Sequence, residues 1–494
     1  MHCVWFKKDL RVHDHRPLWE ASQRGAVICV FVDEEEYWTA PETHPRDRLF
    51  LEECLAELAK ELMKLGGRLV RRQGRLPDVF FELHREIGFT HLWSHEETGS
   101  AWTYARDLRV KEWCKSAGVK WTECPQTGVV RRLKSRDGWS KIWQQRMSLP
   151  QTPEPPSIRT PEIELFSTTP PPPLTGQKPA EQTGGRQAGL QCLHSFLQER
   201  GEGYRKEMSS PVTAWASCSR ISPYLSFGCL SLREVYLASE NQRAALLGAG
   251  KNGTRWRESL QSFSGRLRWH CHFMQKLEDE PEIEVHNIHR GFDGLREDDW
   301  SEKKFRAWCD GQTGYPMVDA CMRALCSTGW LNFRMRAMLV SFASYHLWLH
   351  WRRPAQFLGK QFLDFEPGIH YSQFQMQSGV TGINTLRMYS PAKQVADHDP
   401  TGIFIRRWVP ELEGVPDPYL AEPHKIPPLL QKAFGIEIGR DYPAPIVDHI
   451  EAIRHARARL AEWRRRPGMR EISATVQKRH GSRKRSRPVT RPAR

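Results

Sequence analysis

Ten prolines fall within residues 150–179, and four of them are consecutive, at positions 170–173. Proline fixes φ and lacks a backbone N–H, so a segment this rich in proline forms neither a helix nor an inner strand. The segment predicts a surface linker, over residues 149–188, between two folded parts of the chain. The length of 494 residues agrees with two parts, because single cores stop growing at about 250–300 residues.

The part before the linker, residues 1–148, alternates short apolar runs with amphipathic stretches. The runs CVWF, AVICVFV, GRLVRR, THLWSH and VKWTEC are typical of strands, and helices are predicted at 46–65, 79–87 and 102–117. Strands that alternate with helices form βαβ units, in which a parallel sheet carries helices on both faces. We therefore predict an α/β, Rossmann-like N-terminal domain.

The part after the linker, residues 189–463, is dominated by helical periodicity. Segments such as VDACMRALCSTGW and NFRMRAMLVSFASYHLWLHW are apolar nearly all round, which is typical of helices buried in a large bundle. We predict an all-helical C-terminal domain. Residues 464–494 are expected to be a disordered tail, because the last 17 residues contain eight Lys or Arg and no acid. Such a tail is either a solubilising end or an arm that binds DNA non-specifically.

The charge of the chain favours a polyanionic partner, since its 73 Lys and Arg residues outnumber its 58 Asp and Glu residues. No run approaches the roughly 18 uncharged apolar residues that a membrane span needs. The first residues also lack the apolar core of a signal peptide, so we expect a cytoplasmic protein without membrane contact. No metal site is predicted, because the 12 cysteines form no C-x-x-C pair.

Motifs spread along the chain resemble those of a known family. They are VWFKKDLRVHDHRPLWEA near the start, SRISPYLSFGCLS at 219–231, RLRWH at 266–270 and, between residues 300 and 412, TGYPMVDACMRAL, STGWLNFRMRAM, HWRRPAQFLGKQFLDFE and IFIRRWVPEL. Together, and in this order, they resemble the photolyase/cryptochrome family. The resemblance covers the chain except for the linker and the tail.

The resemblance implies that the helical domain binds FAD. Arg336 and Asp364 match the family's buried pair over the flavin, and Glu366 takes the place of a second acid. A guanidinium stabilises negative charge on a reduced flavin, and the carboxylate keeps that guanidinium paired inside the bundle. The other cofactor-binding residues that the resemblance implies are Tyr204, Ser219, Arg220, Ile221, Ser222 and His370. Hydroxyl groups and a helix start, as in residues 219–222, suit a pyrophosphate.

The reaction implied by the resemblance is light-driven repair of UV pyrimidine dimers in DNA, by electron transfer from excited, reduced FAD. Trp269 matches the tryptophan that stacks on the flipped lesion. Arg334, Arg387 and Arg407 lie in motifs that line the DNA-facing cavity. We predict a monomeric DNA photolyase. The alternative is a cryptochrome-type blue-light photoreceptor that repairs nothing.

The electron-transfer chain of the family is altered here. Phe374 takes the place of the tryptophan that begins a chain of three, and Trp351 and Trp300 match the second and third members. Phenylalanine is much harder to oxidise than tryptophan, so electrons reach the flavin either slowly or by another route. The candidates for that route are Tyr371, Tyr345, Trp330 and Trp348.

Three further positions depart from the family pattern. Met376 replaces a second tryptophan and offers a polarizable apolar wall for bases. His370 takes the position that faces the flavin N5, where it either tunes the flavin by titrating near neutrality or is a hydrogen-bonded bystander. Arg266 replaces the acid that usually bonds the dimer, which favours the photoreceptor alternative. The resemblance thus assigns Trp269, Met376 and His370 to the catalytic cavity.

The resemblance also implies a place for a second, antenna chromophore. We expect it in the α/β domain, in the cleft at the carboxyl ends of the strands. The sequence does not specify whether a folate, a deazaflavin or a second flavin binds there, or whether the cleft is empty.

Overall fold

The computed structural model describes residues 1–161 and 181–482, which form an α/β domain followed by a helical domain. Residues 162–180 of the predicted linker and residues 483–494 of the predicted tail lie outside the described residues. The start of the linker packs against the α/β domain. Ile158 is buried there, and the carbonyl oxygen of Arg159 accepts a hydrogen bond from the backbone N–H of Val27 at 2.9 Å.

Five parallel strands form the sheet of the N-terminal domain, in the order β3-β2-β1-β4-β5. They are β1 (His2–Phe6), β2 (Val27–Asp33), β3 (Leu69–Gln73), β4 (His91–His95) and β5 (Lys120–Cys124). In register, Val4 of β1 lies between Cys29 of β2 and Trp93 of β4. All seven residues of β2 are buried, as expected for a parallel sheet that is covered on both faces.

Helices cover the two faces of this sheet. They are α1 (Arg16–Ser22), α2 (Glu35–Trp38), α3 (Pro45–Lys64), α4 (Asp78–Ile87), α5 (Ala101–Ser116) and α6 (Trp139–Met147). Phe80 of α4 and Val110 of α5 pack with Trp5 on one face, whereas Leu55 of α3 packs with Val4 on the other. The prediction of a Rossmann-like domain is confirmed.

The second domain is helical, as predicted. Its α-helices are α7 (Arg186–Ser195), α8 (Tyr204–Glu207), α9 (Ala214–Ser217), α10 (Ser222–Ser226), α11 (Leu232–Ala245), α12 (Gly250–Asp279), α13 (Glu302–Cys309), α14 (Pro316–Thr328), α15 (Phe333–Ser341), α16 (Arg352–Gln361), α17 (Pro367–Ser378), α18 (Pro391–His398), α19 (Ile403–Trp408), α20 (Asp417–Leu420), α21 (Pro428–Ala433), α22 (His449–Arg464) and α23 (Met469–His480). Two π-helical turns, Phe196–Arg200 and Phe342–His346, continue α7 and α15. Short 3₁₀-helices occur at Pro281–Glu284, Arg290–Phe292, Pro410–Leu412 and Pro423–Lys425.

The two domains share a hydrophobic core. Val4 and Phe50 of the first domain belong to the same buried cluster as Phe196, Tyr224 and Phe227 of the second. The ring of Phe50 lies 5.5 Å from that of Tyr224 and 4.9 Å from that of Phe227, measured between centroids. The domains are therefore packed directly against each other.

The expectation that residues 464–494 are disordered is wrong for the helix α23. Its Val476 is buried, and Ile472 packs against the same small cluster, which includes Leu277 and Ile283. At the end of the helix, His480 is hydrogen-bonded to Glu280 at 2.6 Å. An apolar face on this segment outweighs its basic composition, because the face has a matching surface on which to be buried.

No helix in residues 1–161 and 181–482 has both the length and the apolar character that crossing a membrane requires.

Candidate functional site

A cavity of about 590 Å³ lies inside the helical domain. Helices α15, α16 and α17 form its walls, together with the loop that joins α16 to α17. Its apolar lining consists of Phe333, Ala337, Val340, Leu358, Phe362, Phe365, Ile369 and Phe374. Its polar lining consists of Arg336, Asp364, Glu366, His370, Gln373 and Gln377. Flat aromatic walls with a few polar groups are typical of a site for a planar, heteroaromatic ligand.

Arg336 and Asp364 meet at this cavity, as the sequence predicts. The guanidinium Nη1 and Nη2 donate to the carboxylate Oδ1 and Oδ2, both at 2.9 Å, and Nε donates to the carbonyl oxygen of Leu331 at 2.6 Å. Burial alone would raise the pKa of Asp364, but the charge of Arg336 and the hydrogen bonds from Arg336 and Ser222 lower it. The pair is therefore ionised and presents a fixed positive group to the cavity.

Glu366 and His370 line the same cavity. Burial raises the pKa of Glu366 to about 7. Burial lowers the pKa of His370 to about 4, so the imidazole is neutral at physiological pH, which disagrees with titration near neutrality, one of the two alternatives that the sequence leaves open. Its Nε2 lies 2.7 Å from the carbonyl oxygen of Ala355, which only accepts, so Nε2 carries the hydrogen. The other ring nitrogen, Nδ1, is then an acceptor.

The loop that precedes Ser222 is held in place by Arg200. Its guanidinium donates to the carbonyl oxygens of Ser219 at 2.7 Å and of Ala216 at 3.0 Å, and also to that of Cys218. Ser222 begins the five-residue helix α10, and the preceding Ile221 is buried. Arg200 thus holds the backbone of residues 216–219 in place. The sequence assigns residues 219–222 to the site but does not identify Arg200.

Arg220 points into an aromatic cage. Its guanidinium carbon lies 3.3 Å from the ring centroid of Trp215 and 4.4 Å from that of Trp330, and Nη2 donates to Gln182 at 3.0 Å. The backbone at Arg220 is left-handed, with φ of 60°. Tyr204, the other residue of the predicted phosphate segment, is buried against the rings of Phe196 and Phe263. Both side chains therefore have a packing role at the site.

Several buried polar atoms next to the cavity have no partner among the described residues. They are Gln373 Oε1 and Gln377 Nε2, which belong to lining residues, and both ring nitrogens of His270 in a neighbouring cavity lined also by Glu366. Buried polar groups are nearly always hydrogen-bonded, so these atoms call for a ligand that offers both donors and acceptors. The edge of an isoalloxazine ring offers both, so the residues present fit a flavin.

Trp269 and Met376 line a second cavity, of about 1070 Å³. Trp269 is 41% exposed, which is high for tryptophan, and its ring stands edge-on to Phe273 at 6.0 Å. The guanidinium of Arg266 lies 5.3 Å from the ring of Trp269 and 5.6 Å from that of Phe333, which lines the first cavity. Arg266 therefore stands between the two cavities.

The second cavity is rich in basic residues. Arg136, Arg268, Lys276 and His480 line it together with the aromatic side chains. Burial, together with the charge of Arg136, lowers the pKa of Lys276 to about 8, so the amine is close to titration at physiological pH. An anion in the cavity would restore the charged form, because it removes the cost of burying an unpaired cation.

The three arginines that the resemblance assigns to DNA binding lie in different surroundings. Arg387 and Arg407 are exposed, and Arg407 covers the ring of Trp408 at 5.2 Å. Arg334 is half-buried, and its charge lowers the pKa of His398, which burial has already lowered. These three side chains add positive charge to the surface of the helical domain.

The aromatic residues of the predicted electron-transfer chain fall into two groups. Phe374 contacts His370 at 5.0 Å, and Trp351 contacts Tyr371 at 6.1 Å, measured between ring centroids. Trp300 lies in a separate group with Phe305 at 5.1 Å, under the guanidinium of Arg353. Trp351 is fully buried, whereas Trp300 is partly exposed.

A third cavity, of about 1020 Å³, lies between the two domains, at the carboxyl ends of the strands. Lys7 follows β1, Glu34 follows β2 and Glu97 follows β4, and all three line it. Its aromatic lining includes Trp5, Tyr37, Trp38 and Trp102. Phe362 and Phe365 of the helical domain close it, and these two residues also line the first cavity. The rings of Phe362 and Phe365 therefore separate the third cavity from the first.

Comparison with known proteins decides the family. The family model described as "FAD binding domain of DNA photolyase" matches residues 263–462, and the one described as "DNA photolyase" matches residues 2–138. The chain belongs to the photolyase/cryptochrome family. Among its relatives, a cryptochrome DASH of Gloeobacter violaceus is 29% identical, over 90% of this chain and 92% of that protein. A deoxyribodipyrimidine photo-lyase of Agrobacterium fabrum is 30% identical, over 93% of this chain and 97% of that protein.

Solved structures of this family have the same fold. A bacterial class III photolyase from Agrobacterium tumefaciens superposes with a TM-score of 0.81 at 26% identity, covering 94% of this chain and 98% of that one. The curated relatives include both photolyases and cryptochromes. The chain is therefore a photolyase-like protein with an FAD-binding domain.

The structure of this photolyase-like protein also contains residues that the sequence did not single out. Asp9, His15 and His95 bring ligand atoms within 4.8 Å of one another in the α/β domain. His15 Nδ1 accepts the backbone N–H of Leu18 at 3.1 Å, so its Nε2 carries the hydrogen and donates to Asp9 at 3.0 Å. His95 bonds the same carboxylate at 2.7 Å. Hydrogen bonding accounts for this buried cluster, which joins β1, α1 and β4.

Proposed function

We propose that this protein is a DNA photolyase that uses light and FAD to split UV pyrimidine dimers. The observation that carries the proposal is the cavity beside Trp269. A half-exposed tryptophan there faces a space lined by Met376, and basic residues surround it. Flipped bases stack on aromatic and apolar side chains while cations hold the flanking phosphates, so this cavity suits an extruded lesion.

The residues of the first cavity would hold and tune the flavin. The chemistry that a bound, reduced FAD supplies is light-driven donation of one electron to the dimer and recovery of the electron after the ring opens. Arg336, paired with Asp364, would favour a negatively charged ring. His370 Nδ1 would accept a hydrogen bond from the ring, because its Nε2 hydrogen is committed to Ala355. Apolar walls exclude water and strengthen these interactions.

Arg266 would act in both cavities. It lies against Trp269 on one side and Phe333 on the other, at the place where the family pattern has an acid. A guanidinium donates hydrogen bonds and accepts none, so it would bond the carbonyl oxygens of a pyrimidine dimer rather than its N–H groups. This role replaces dimer recognition by a carboxylate with recognition by a cation.

The interdomain cavity would hold the antenna chromophore. Asp33 Oδ1, Glu34 Oε2 and Asp47 Oδ1 are buried there without partners among the described residues. Burial raises the pKa values of Glu34 and Asp47 to about 7. Carboxyl acceptors beside aromatic rings suit a planar heteroaromatic molecule with N–H donors, such as a pterin or a flavin.

The second candidate function is a cryptochrome-type photoreceptor without repair activity. Two observations favour it: Arg266 stands where an acid usually bonds the dimer, and Met376 replaces a stacking tryptophan. A receptor of this kind would absorb blue light through the same flavin but would bind a signalling partner in place of damaged DNA.

The experiment that separates the two functions is anaerobic. The flavin of the purified protein is reduced chemically, an oligonucleotide with one cyclobutane pyrimidine dimer is added, and loss of the dimer under blue light is measured. A photolyase repairs many dimers per protein molecule, and darkness abolishes the loss. Intact dimers after illumination, with equal affinity for damaged and undamaged DNA, would identify the photoreceptor.

A matched pair of variants tests the role of the second cavity. Base stacking on an aromatic side chain contributes about 1–3 kcal/mol, so Trp269→Ala should weaken binding of the dimer-containing oligonucleotide at least about fivefold. Tyr104→Ala removes an aromatic ring that is 58% exposed on α5 of the other domain, and should leave the affinity unchanged. Equal effects of the two substitutions would contradict the assignment of the lesion to this cavity.

A further inference from the structure

Tyr371 lies between the flavin cavity and the buried tryptophan of the electron-transfer chain. It is only 1% exposed on α17. Its ring centroid lies 5.6 Å from that of His370 and 6.2 Å from that of Phe365, both of which line the flavin cavity. On its other side, the ring of Trp351 stands at 6.1 Å and 71°. A continuous line of rings thus leads from the cavity through Tyr371 to Trp351.

The phenol of Tyr371 has a base at hand. Its hydroxyl donates a hydrogen bond to the Oε1 of Glu42, a residue of the α/β domain that is 8% exposed. Burial raises the pKa of Glu42, which makes its carboxylate a better proton acceptor. The other charged groups that act on the phenol are Glu284, which hinders loss of its proton, and Arg352, which favours it.

With Phe374 in the chain, a fast electron route to the flavin requires such a residue. Phe374 occupies the place of the first tryptophan of the family's chain, beside His370, and its ring is not oxidised under the conditions in which tryptophan and tyrosine are. Oxidation of a buried tyrosine requires a base, because a phenol radical cation is a strong acid and a buried charge is costly. Tyr371 supplies the oxidisable ring and Glu42 supplies the base, and the two side chains are in direct contact.

We propose that Tyr371 is the electron-transfer residue that delivers electrons to the flavin, with Glu42 as its proton acceptor. The inference rests on the proposed function, in that it requires a light-excited flavin in the first cavity. One electron leaves the phenol for the excited flavin, the O–H bond breaks, and the proton forms a carboxylic acid on Glu42. Tyr371 is left as a neutral radical.

Trp351 then restores Tyr371. The buried indole, whose Nε1 donates to the Oδ1 of Asn287 at 2.7 Å, gives one electron to the tyrosyl radical, and Glu42 returns the proton to the phenol. An external thiol re-reduces the tryptophan, losing one electron to it and one proton to the solvent and becoming a thiyl radical. The partly exposed His350, whose ring lies 5.5 Å from that of Trp351, lies beside the tryptophan. Each cycle thus moves one electron from the thiol to the flavin and leaves Tyr371 and Glu42 unchanged.

The test is a search for the tyrosyl radical in three variants. After a blue-light pulse on the FAD-loaded protein, transient absorption and electron paramagnetic resonance should record a tyrosyl radical in the wild type and none in Tyr371→Phe. Glu42→Gln should slow its formation about 100-fold, the scale of a lost general base. Replacement of H₂O by D₂O should slow the wild type and leave Glu42→Gln unaffected. Tyr345→Phe, which alters another buried tyrosine of the same domain, should behave like the wild type.

A second measurement, which needs no flavin, complements this search for the radical. Oxidation of the apoprotein by photogenerated tris(bipyridine)ruthenium(III), in a Tyr104→Phe background because the ring of Tyr104 is 58% exposed, should give a tyrosyl signal that Tyr371→Phe diminishes, together with the infrared carbonyl band of a protonated carboxyl that Glu42→Gln removes. An undiminished tyrosyl radical in Tyr371→Phe, or a tryptophan radical alone in the wild type, would overturn the inference. Failure of the chemically reduced wild-type protein to repair a dimer would instead count against the proposed function.

Discussion

At the scale of single residues, the Arg336–Asp364 pair is the feature on which the flavin site most depends. Its geometry is bidentate, with Asp364 nearly buried at 6% side-chain exposure and Arg336 at 25%. Removing one partner of such a pair leaves an uncompensated charge. Replacing both residues by apolar ones leaves no charge in the cavity wall, and an apolar wall needs no hydration.

We expect Arg336→Met to destabilise the apoprotein by about 3 kcal/mol, and Asp364→Leu by less, because the arginine that remains is more exposed. The double variant should be more stable than the sum of the single effects predicts. Urea unfolding measures all three, and flavin absorbance after purification should show loss of the cofactor in each. Arg306→Met, in an exposed pair with Glu302 at 3.0 Å, should cost less than about 1 kcal/mol.

The sequence predicts the residues of the site that occur in linear motifs and misses those that reach it from elsewhere. Arg336 and Asp364 could be assigned because they lie within the motifs that carry the resemblance, and His370 because its position is counted from Asp364. Glu42 could not, since it is 329 positions away from its partner Tyr371 and belongs to the other domain. The low pKa of His370 also results from burial, which outweighs the opposing effect of the hydrogen bond to the carbonyl oxygen of Ala355, and a motif specifies neither.

At the scale of elements, α23 is the helix whose existence was least expected. Its Met469, Ile472 and Val476 follow one another at intervals of three and four residues, which is a helical signal. The basic residues after position 477 obscure that signal in a compositional argument. The strands and the longer helices of the α/β domain were predicted to within about two residues, because no basic run obscures the short apolar runs of the strands or the longer stretches between them.

We expect Val476→Asp to destabilise the protein by about 2–4 kcal/mol, because it puts a charge into the small cluster with Leu277 and Ile283. Lys478→Asp should have an effect below about 0.5 kcal/mol, since residue 478 is exposed. Thermal unfolding followed by circular dichroism compares the two. Equal melting temperatures of Val476→Asp and the wild type would mean that α23 does not pack against the body in solution.

At the scale of the whole molecule, the shared core makes the two domains interdependent. Composition divides the chain at the prolines and suggests two separable units. The structure shows instead that Phe50 of α3 is buried against Tyr224 and Phe227 of the helical domain. Such contacts join residues far apart in the sequence, so the linker predicts where the domains are divided but not how closely they pack.

A fragment of residues 1–161 should therefore lack a fixed tertiary structure, although its sheet is complete. We expect near-native far-ultraviolet circular dichroism, little near-ultraviolet signal and strong binding of a hydrophobic dye. Adding Phe50→Ser and Phe31→Ser, at two positions of the shared core, should reduce dye binding by the fragment. A fragment with sharp near-ultraviolet bands and a cooperative melting transition would mean that the first domain is stable without the second.

The partition formed by Phe362 and Phe365 links the properties of the compartments on its two sides. A pigment held next to the α/β sheet would have these two rings between it and the flavin cavity, and could pass excitation energy to a flavin there. The same closeness limits engineering, because trimming either ring to admit a bulkier pigment also opens the neighbouring compartment. The wavelengths that the bound pigment absorbs and the redox behaviour of the flavin would then change together.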